Sequence, residues 1–221
     1  MSAAPPFQAR RIAIWDLPTR AFHWLVVLLV PAMWWTAEEE MMDLHILLGQ
    51  TMFGLVLFRI FWGLIGSSTA RFAGFVRGPR AILSYLRGDG KARIGHNPIG
   101  ALSVVALLTL LSIQVGLGLF ASDEDGLYQG PLSHHVSLEA SETLAERHET
   151  MFDVLLIFIG LHVAAILFYL VIKRDNLVGP MVSGSREAGE GEAPMAAAPL
   201  WRFLIAAGAA LALTLAIATG L

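Results

Sequence analysis

His148 and His162 stand fourteen residues apart in the stretch RHETMFDVLLIFIGLH, separated by an apolar run that holds one acid, Asp153. An ionisable side chain inside an apolar helix is costly, so it marks a functional position by default. Fourteen residues are two heptads, which keeps both imidazoles on one face of a helix in a left-handed bundle. Along the axis they are about 21 Å apart at 1.5 Å per residue. His23 and His45 lie in or at the ends of other apolar runs, and His96, His134 and His135 complete the seven histidines. An imidazole in such a place ligates a metal, relays a proton or joins helices by hydrogen bonds.

The elements that must position these groups are five apolar segments, at about 21–37, 44–66, 99–121, 151–172 and 200–221. Each is long enough to cross a hydrocarbon layer of about 30 Å. The 221 residues are 56% hydrophobic and 15% charged, where a soluble domain carries about 25% charged residues. In lipid a single segment satisfies its own backbone only as a helix. The fold class is therefore an all-α membrane protein. Met33, Trp34 and Trp35 stand where a signal peptide would carry small cleavage-site residues, so the first span is read as retained. The absence of cysteine excludes disulfides, iron–sulfur clusters, thiolate zinc and covalently attached c-type haem. No stretch carries nucleotide-binding or triad chemistry, and no nucleic-acid partner is expected.

Charge sets the orientation. All the Lys and Arg residues except Arg147 fall on one side: before the first span, between spans two and three, between spans four and five, or at the same-side ends of span two (Arg59) and span five (Arg202). The opposite loops carry Glu38, Glu39, Glu40 and Asp43, then Asp123, Glu124, Asp125, Glu139, Glu142 and Glu146. By the positive-inside rule the N-terminus is cytoplasmic. Five spans then place the C-terminus in the periplasm of a bacterial inner membrane.

This orientation fixes depths. His45 begins the second span and His148 the fourth, both at the outer level, whereas His23 and His162 share the inner level. Two stacked sites, each with one imidazole from each of two helices, match bis-histidine b-type haem in a bundle core. The inferred pairs are His45 with His148 and His23 with His162. Zinc needs three or four ligands at one point, and the depths give two and two. A proton relay or transporter without haem is a further reading of the same histidines.

The stretches WDLPTRAFHW, LHILLGQTMFGLVLFRIFWGLIGS, IGHNPIG and RHETMFDVLLIFIGLH together resemble the bacterial cytochrome b561 and nickel–iron hydrogenase b-subunit family, over about residues 11–182. The resemblance implies a four-helix membrane cytochrome with two non-covalent b haems, passing electrons between the quinone pool and a periplasmic partner. The family's ligand histidines fall on His23, His45, His148 and His162. Its branches serve c-type cytochromes, hydrogenase-like enzymes for which the subunit is a membrane anchor, and superoxide oxidation with quinone as acceptor. The loops look most like the branch paired with c-type cytochromes. Activity as a quinone oxidoreductase and assembly as a homo-oligomer stay open.

The expected organisation is a diheme domain at 1–182, a flexible Gly-, Ala-, Pro- and Glu-rich linker at 183–199, and an extra helix at 200–221 beyond the family's four-helix unit. Asp16 and Asn97 precede Pro18 and Pro98 as helix caps. Arg59 follows His45 by fourteen residues, at the level of the inner haem, where its guanidinium could pair with a propionate or anchor the helix in the positive-inside sense. His96 is read as a cofactor-binding residue beside the Asn97 cap, against the plainer reading of a cap alone. His134 and His135 read as solvated loop residues, and Trp34 with Trp35 as an interfacial belt. Gly49, Gly54, Gly116, Gly118 and Gly160 are places where a helix or a porphyrin comes close.

Overall fold

The structure is a computed structural model and describes residues 10–87, 94–123, 125–189 and 191–220. Glu124, Leu221, and Lys91 and Arg93 of the basic loop between spans two and three lie outside the described residues. In chain order the elements are β1 (Arg11–Ala13), α1 (Leu17–Glu38), α2 (Met42–Ile65), α3 (Phe72–Phe75), α4 (Pro79–Leu86), α5 (Pro98–Phe120), a 3-10 turn (Ser133–His135), α6 (Leu138–Val171), α7 (Val178–Ser183), β2 (Ser185–Glu187) and α8 (Leu200–Ala218). Five of them, α1, α2, α5, α6 and α8, are long and apolar enough to cross a membrane. The chain is an all-α membrane protein with one small two-stranded ribbon.

Local sequence starts the helices where expected. Asp16 Oδ1 accepts from the Thr19 amide at 2.8 Å, and Asn97 Oδ1 from the Gly100 amide at 2.7 Å, each just before a proline that needs no donor partner. Ser137 caps α6 through the Ala140 amide at 3.3 Å. That cap lies well ahead of residue 151, where the fourth span was expected to begin. The intervening LEASETLAERHET is polar but rich in good helix formers, so the helix runs on for 34 residues. Hydropathy marks where the apolar run begins, not where the helix does.

The bundle has a basic end, where α1, α5 and α8 begin, and an acidic end, where α2 and α6 begin. α2 lies at the centre, packed on α1, α5 and α8, while α6 packs chiefly on α5. At mid-height Met52, Val56, Leu111, Val115 and Leu155 form a buried apolar core, flanked by Val26, Leu29, Val30 and Met33 of α1. Leu155 is seven residues from both His148 and His162, and Met52 is seven from both His45 and Arg59. The core therefore separates the two histidine levels.

The segment 183–199, expected as a flexible linker, is tied down across the basic end. β2 pairs antiparallel with β1, placing Arg11 opposite Glu187. The Met195 amide donates to the Ala13 carbonyl at 2.9 Å and the Ser68 amide to the Ala196 carbonyl at 3.0 Å. Its Gly, Ala and Pro content reports weak helix propensity, but says nothing of the unpaired strand edge that β1 offers. α8 then lies along α2. A Cβ at Gly54 would come within 2.9 Å of Thr214 Oγ1, so this glycine sets the close approach of the two helices.

Candidate functional site

At the acidic end α2 and α6 bring His45 and His148 together. Their ring centroids are 6.1 Å apart and their planes are at 86°. His45 Nδ1 lies 2.9 Å from the Met33 carbonyl, and His148 Nδ1 lies 2.9 Å from the Gln114 carbonyl. Each ring is thus held by an N–H donated from Nδ1, which turns Nε2 into the lone-pair nitrogen. A metal-binding histidine is usually held in this way, by a carbonyl that accepts from its other ring nitrogen and fixes the tautomer. Gln114 also places its side-chain Nε2 at 3.2 Å from His148 Nε2, leaving its own buried Oε1 without a partner. Gly118 makes room for the ring, since a Cβ there would lie 2.9 Å from His148 Cε1.

At the basic end α1 carries His23 and α6 carries His162, each half-buried. His162 Nδ1 is 3.2 Å from Ser103 Oγ of α5, and His23 Nδ1 is buried without a partner. Arg59 and His96 join the same region. Arg59 is 3% exposed, with Nη1 3.4 Å from the Ala70 carbonyl and its guanidinium 5.1 Å from the centre of the Phe72 ring. Among the described residues no carboxylate ion-pairs with it. A surface anchor is therefore not what Arg59 is: it is a buried cation with spare donors. His96 is wedged between Trp15 and Phe75, at centroid distances of 4.5 Å and 4.7 Å. Burial, then the nearby Arg59 and His162, push its pKa down to about 3, and its Nδ1 has no partner. Asp16 Oδ2 accepts from Trp62 Nε1 at 2.9 Å at the same end of the bundle.

These residues fit a bis-histidine haem. Two axial imidazoles with iron–nitrogen bonds of about 2 Å place their ring centroids roughly 6 Å apart, the separation found for His45 and His148. The partnerless Nδ1 atoms of His23 and His96 and the spare Arg59 donors mark the basic end as a place for a polar, anionic group. Among the described residues no three His, Cys, Asp or Glu side chains converge, so a zinc site built from protein ligands is not formed there.

His134 and His135 are exposed in the 3-10 turn, with ring centroids 4.0 Å apart. Asp153 is exposed on α6, and Trp34 and Trp35 are exposed near the acidic end of α1. Gly116 and Gly160 have open space where a Cβ would be, and Gly49 only an ordinary contact with Met33. Gln114 and Ser103 were not singled out from the sequence. Their signal was there: each is a polar side chain inside an apolar helix, and they lie eleven residues, about three turns, apart.

No curated protein and no solved structure matches the chain. The family model described as prokaryotic cytochrome b561 matches residues 14–184, a stretch that holds α1, α2, α5, α6 and both histidine pairs and ends before α8. With five apolar spans already in place, that match makes the chain a member of the prokaryotic cytochrome b561 family, a multi-pass bacterial membrane protein that binds b-type haem and transfers electrons.

Proposed function

We propose that the chain carries electrons across the bacterial inner membrane through two b haems, one at each end of the bundle. The single observation that carries this reading is the facing His45–His148 pair, with His162 two heptads further along the same helix and His23 on α1 at that second level. Both α6 ligands lie on one helix face, with the Leu155 and Met52 core between the levels. Haem iron supplies reversible one-electron chemistry when bound. The chain's own part is to hold the rings, exclude water and set the local field. The Met33 and Gln114 carbonyls fix the outer rings, and Ser103 fixes His162. Arg59 and His96 hold the propionates of the inner haem, as donors at the basic end.

With the basic end cytoplasmic and the acidic end periplasmic, electrons pass between the quinone pool and a periplasmic redox protein. Exposed Glu38, Glu39, Glu40, Asp43, Asp125 and Glu146 favour a basic partner such as a c-type cytochrome, through electrostatic steering. The test is haem counting. Purified protein should hold two low-spin haems per chain. His45→Ala and His148→Ala should each lose the same one, and His23→Ala and His162→Ala the other. Retention of both haems in these variants sinks the ligand assignment. Absence of a dithionite-reducible haem spectrum sinks the whole reading. Partner choice is read from oxidation of the reduced protein by c-type cytochrome, with a loss of rate at high salt.

A further inference from the structure

The segment 183–199, a strap across the basic end, converges on one short stretch, residues 11–16, and α8 reaches that stretch through Trp62 of α2. β2 pairs with β1, and the Ile14 and Trp15 amides donate to the Gly184 carbonyl at 2.9 and 3.1 Å. Met195 donates to Ala13 from the strap, and Thr69 Oγ1 donates to the Ile14 carbonyl at 2.7 Å. This stretch ends at Asp16, a buried carboxylate held by two donors, the Thr19 amide and Trp62 Nε1. Trp62 is itself 2% exposed. It stacks on Phe58 at 6.0 Å and meets Phe203 of α8 edge-on at 6.2 Å. Arg202 of α8 donates to the Ile65 carbonyl at the end of α2, at 3.3 Å.

Asp16 has two roles in this arrangement. As the cap of α1 it sets the register of the helix that presents His23 seven residues, or two turns, later. As a buried anion it is bonded to Trp62, three residues after Arg59 on α2, which puts its charge within one helical turn of the Arg59 position. A negative charge fixed in a low-dielectric site favours the more positive, oxidised state of a nearby redox centre. Phe203 fixes the Trp62 ring, Trp62 fixes Asp16, and Asp16 fixes both the start of α1 and the field beside Arg59.

We propose that α8 and its strap form a clamp on the basic-end redox site, acting through Trp62 and Asp16 as positioning residues for that site alone. The proposal rests on the two-haem reading above. The experiment is a spectroelectrochemical titration of the full chain in lipid nanodiscs, with the basic-end wave identified as the one that His23→Ala abolishes. Asp16→Asn removes the charge and should raise the midpoint of that wave while the other stays fixed. Trp62→Phe keeps the aromatic packing but removes one donor from the carboxylate, so it should lower the same wave. Phe203→Ala, on α8 itself, should shift it in the Trp62→Phe direction with two haems still bound. A basic-end wave unmoved by Trp62→Phe and Phe203→Ala overturns the clamp, as does an equal shift of both waves. Fewer than two waves in the unmodified chain overturns the two-haem reading and the clamp with it, whereas two waves that ignore these substitutions overturn the clamp alone.

Discussion

The imidazole planes of His45 and His148 are almost perpendicular, at 86°, with each ring held by a backbone carbonyl on a different helix. Axial ligands crossed in this way leave the two iron d orbitals that overlap them nearly equal in energy. The oxidised haem between them should therefore give a highly anisotropic low-spin EPR signal, with a large leading g value. Parallel imidazoles would give a rhombic signal instead. The measurement is a low-temperature spectrum of the His23→Ala variant, which keeps only this site. A rhombic signal there would show that the rings turn on binding haem, and would remove the Met33 and Gln114 carbonyls as their fixed supports.

Gly118 lies against the His148 ring, so its substitution reads out the same site through sterics. A Cβ at 2.9 Å from Cε1 and 3.2 Å from Nδ1 cannot be accommodated unless the ring moves. Overpacking of this kind costs about 1–3 kcal/mol. Gly118→Val should lose the acidic-end haem and keep the basic-end one. Gly208→Ala, on α8 with nothing within 4 Å of its Cβ, is the control and should keep both. Haem content by pyridine haemochrome separates the two outcomes, and equal loss in both variants would point to general misfolding.

Arg59 is a buried cation without an ion-pair partner among the described residues. Its removal should make the nearby redox centre easier to oxidise. A unit charge at about 10 Å and an effective dielectric of about 20 is worth roughly 1.7 kcal/mol, on the order of 70 mV for one electron. Arg59→Met, of similar length, should lower the basic-end midpoint by that order and leave the acidic-end midpoint in place. An unchanged basic-end midpoint with normal haem content would remove Arg59 from the site.

The spans and the histidine depths were legible in the sequence because lipid forces a helix wherever a long apolar run occurs, and a helix converts spacing into height. His148 and His162 needed nothing more than their fourteen-residue interval. The extent of α6 was not legible, because its first residues are polar and hydropathy ignores helix propensity. The strap at 183–199 was not legible, because strand pairing depends on a distant partner, β1, which local composition does not reveal. Asp16 was legible as a cap through the following proline. Its second bond, to Trp62, joins residues 46 apart in sequence, and no local pattern encodes such a contact. Gln114 was passed over for a different reason: its importance comes from facing His148 across a helix pair, and spacing within one helix does not give that.

Gln114 supplies the last prediction, because its backbone and its side chain act on His148 in opposite senses. The carbonyl accepts from Nδ1 at 2.9 Å and prepares the ring as a ligand. The side-chain amide sits 3.2 Å from Nε2, the atom that iron would use, and its Oε1 is buried without a partner. Leucine at this position keeps the carbonyl, fills similar volume and removes the competing donor. A hydrogen bond of this kind contributes about 0.5–1.5 kcal/mol, so its loss should tighten haem binding by about 2- to 10-fold. The measurement is haem titration into protein produced without added haem, comparing Gln114→Leu with the unmodified chain in the His23→Ala background. Weaker binding in Gln114→Leu would mean that the amide turns to support the bound ring, and would make its side chain part of the site rather than a gate over it.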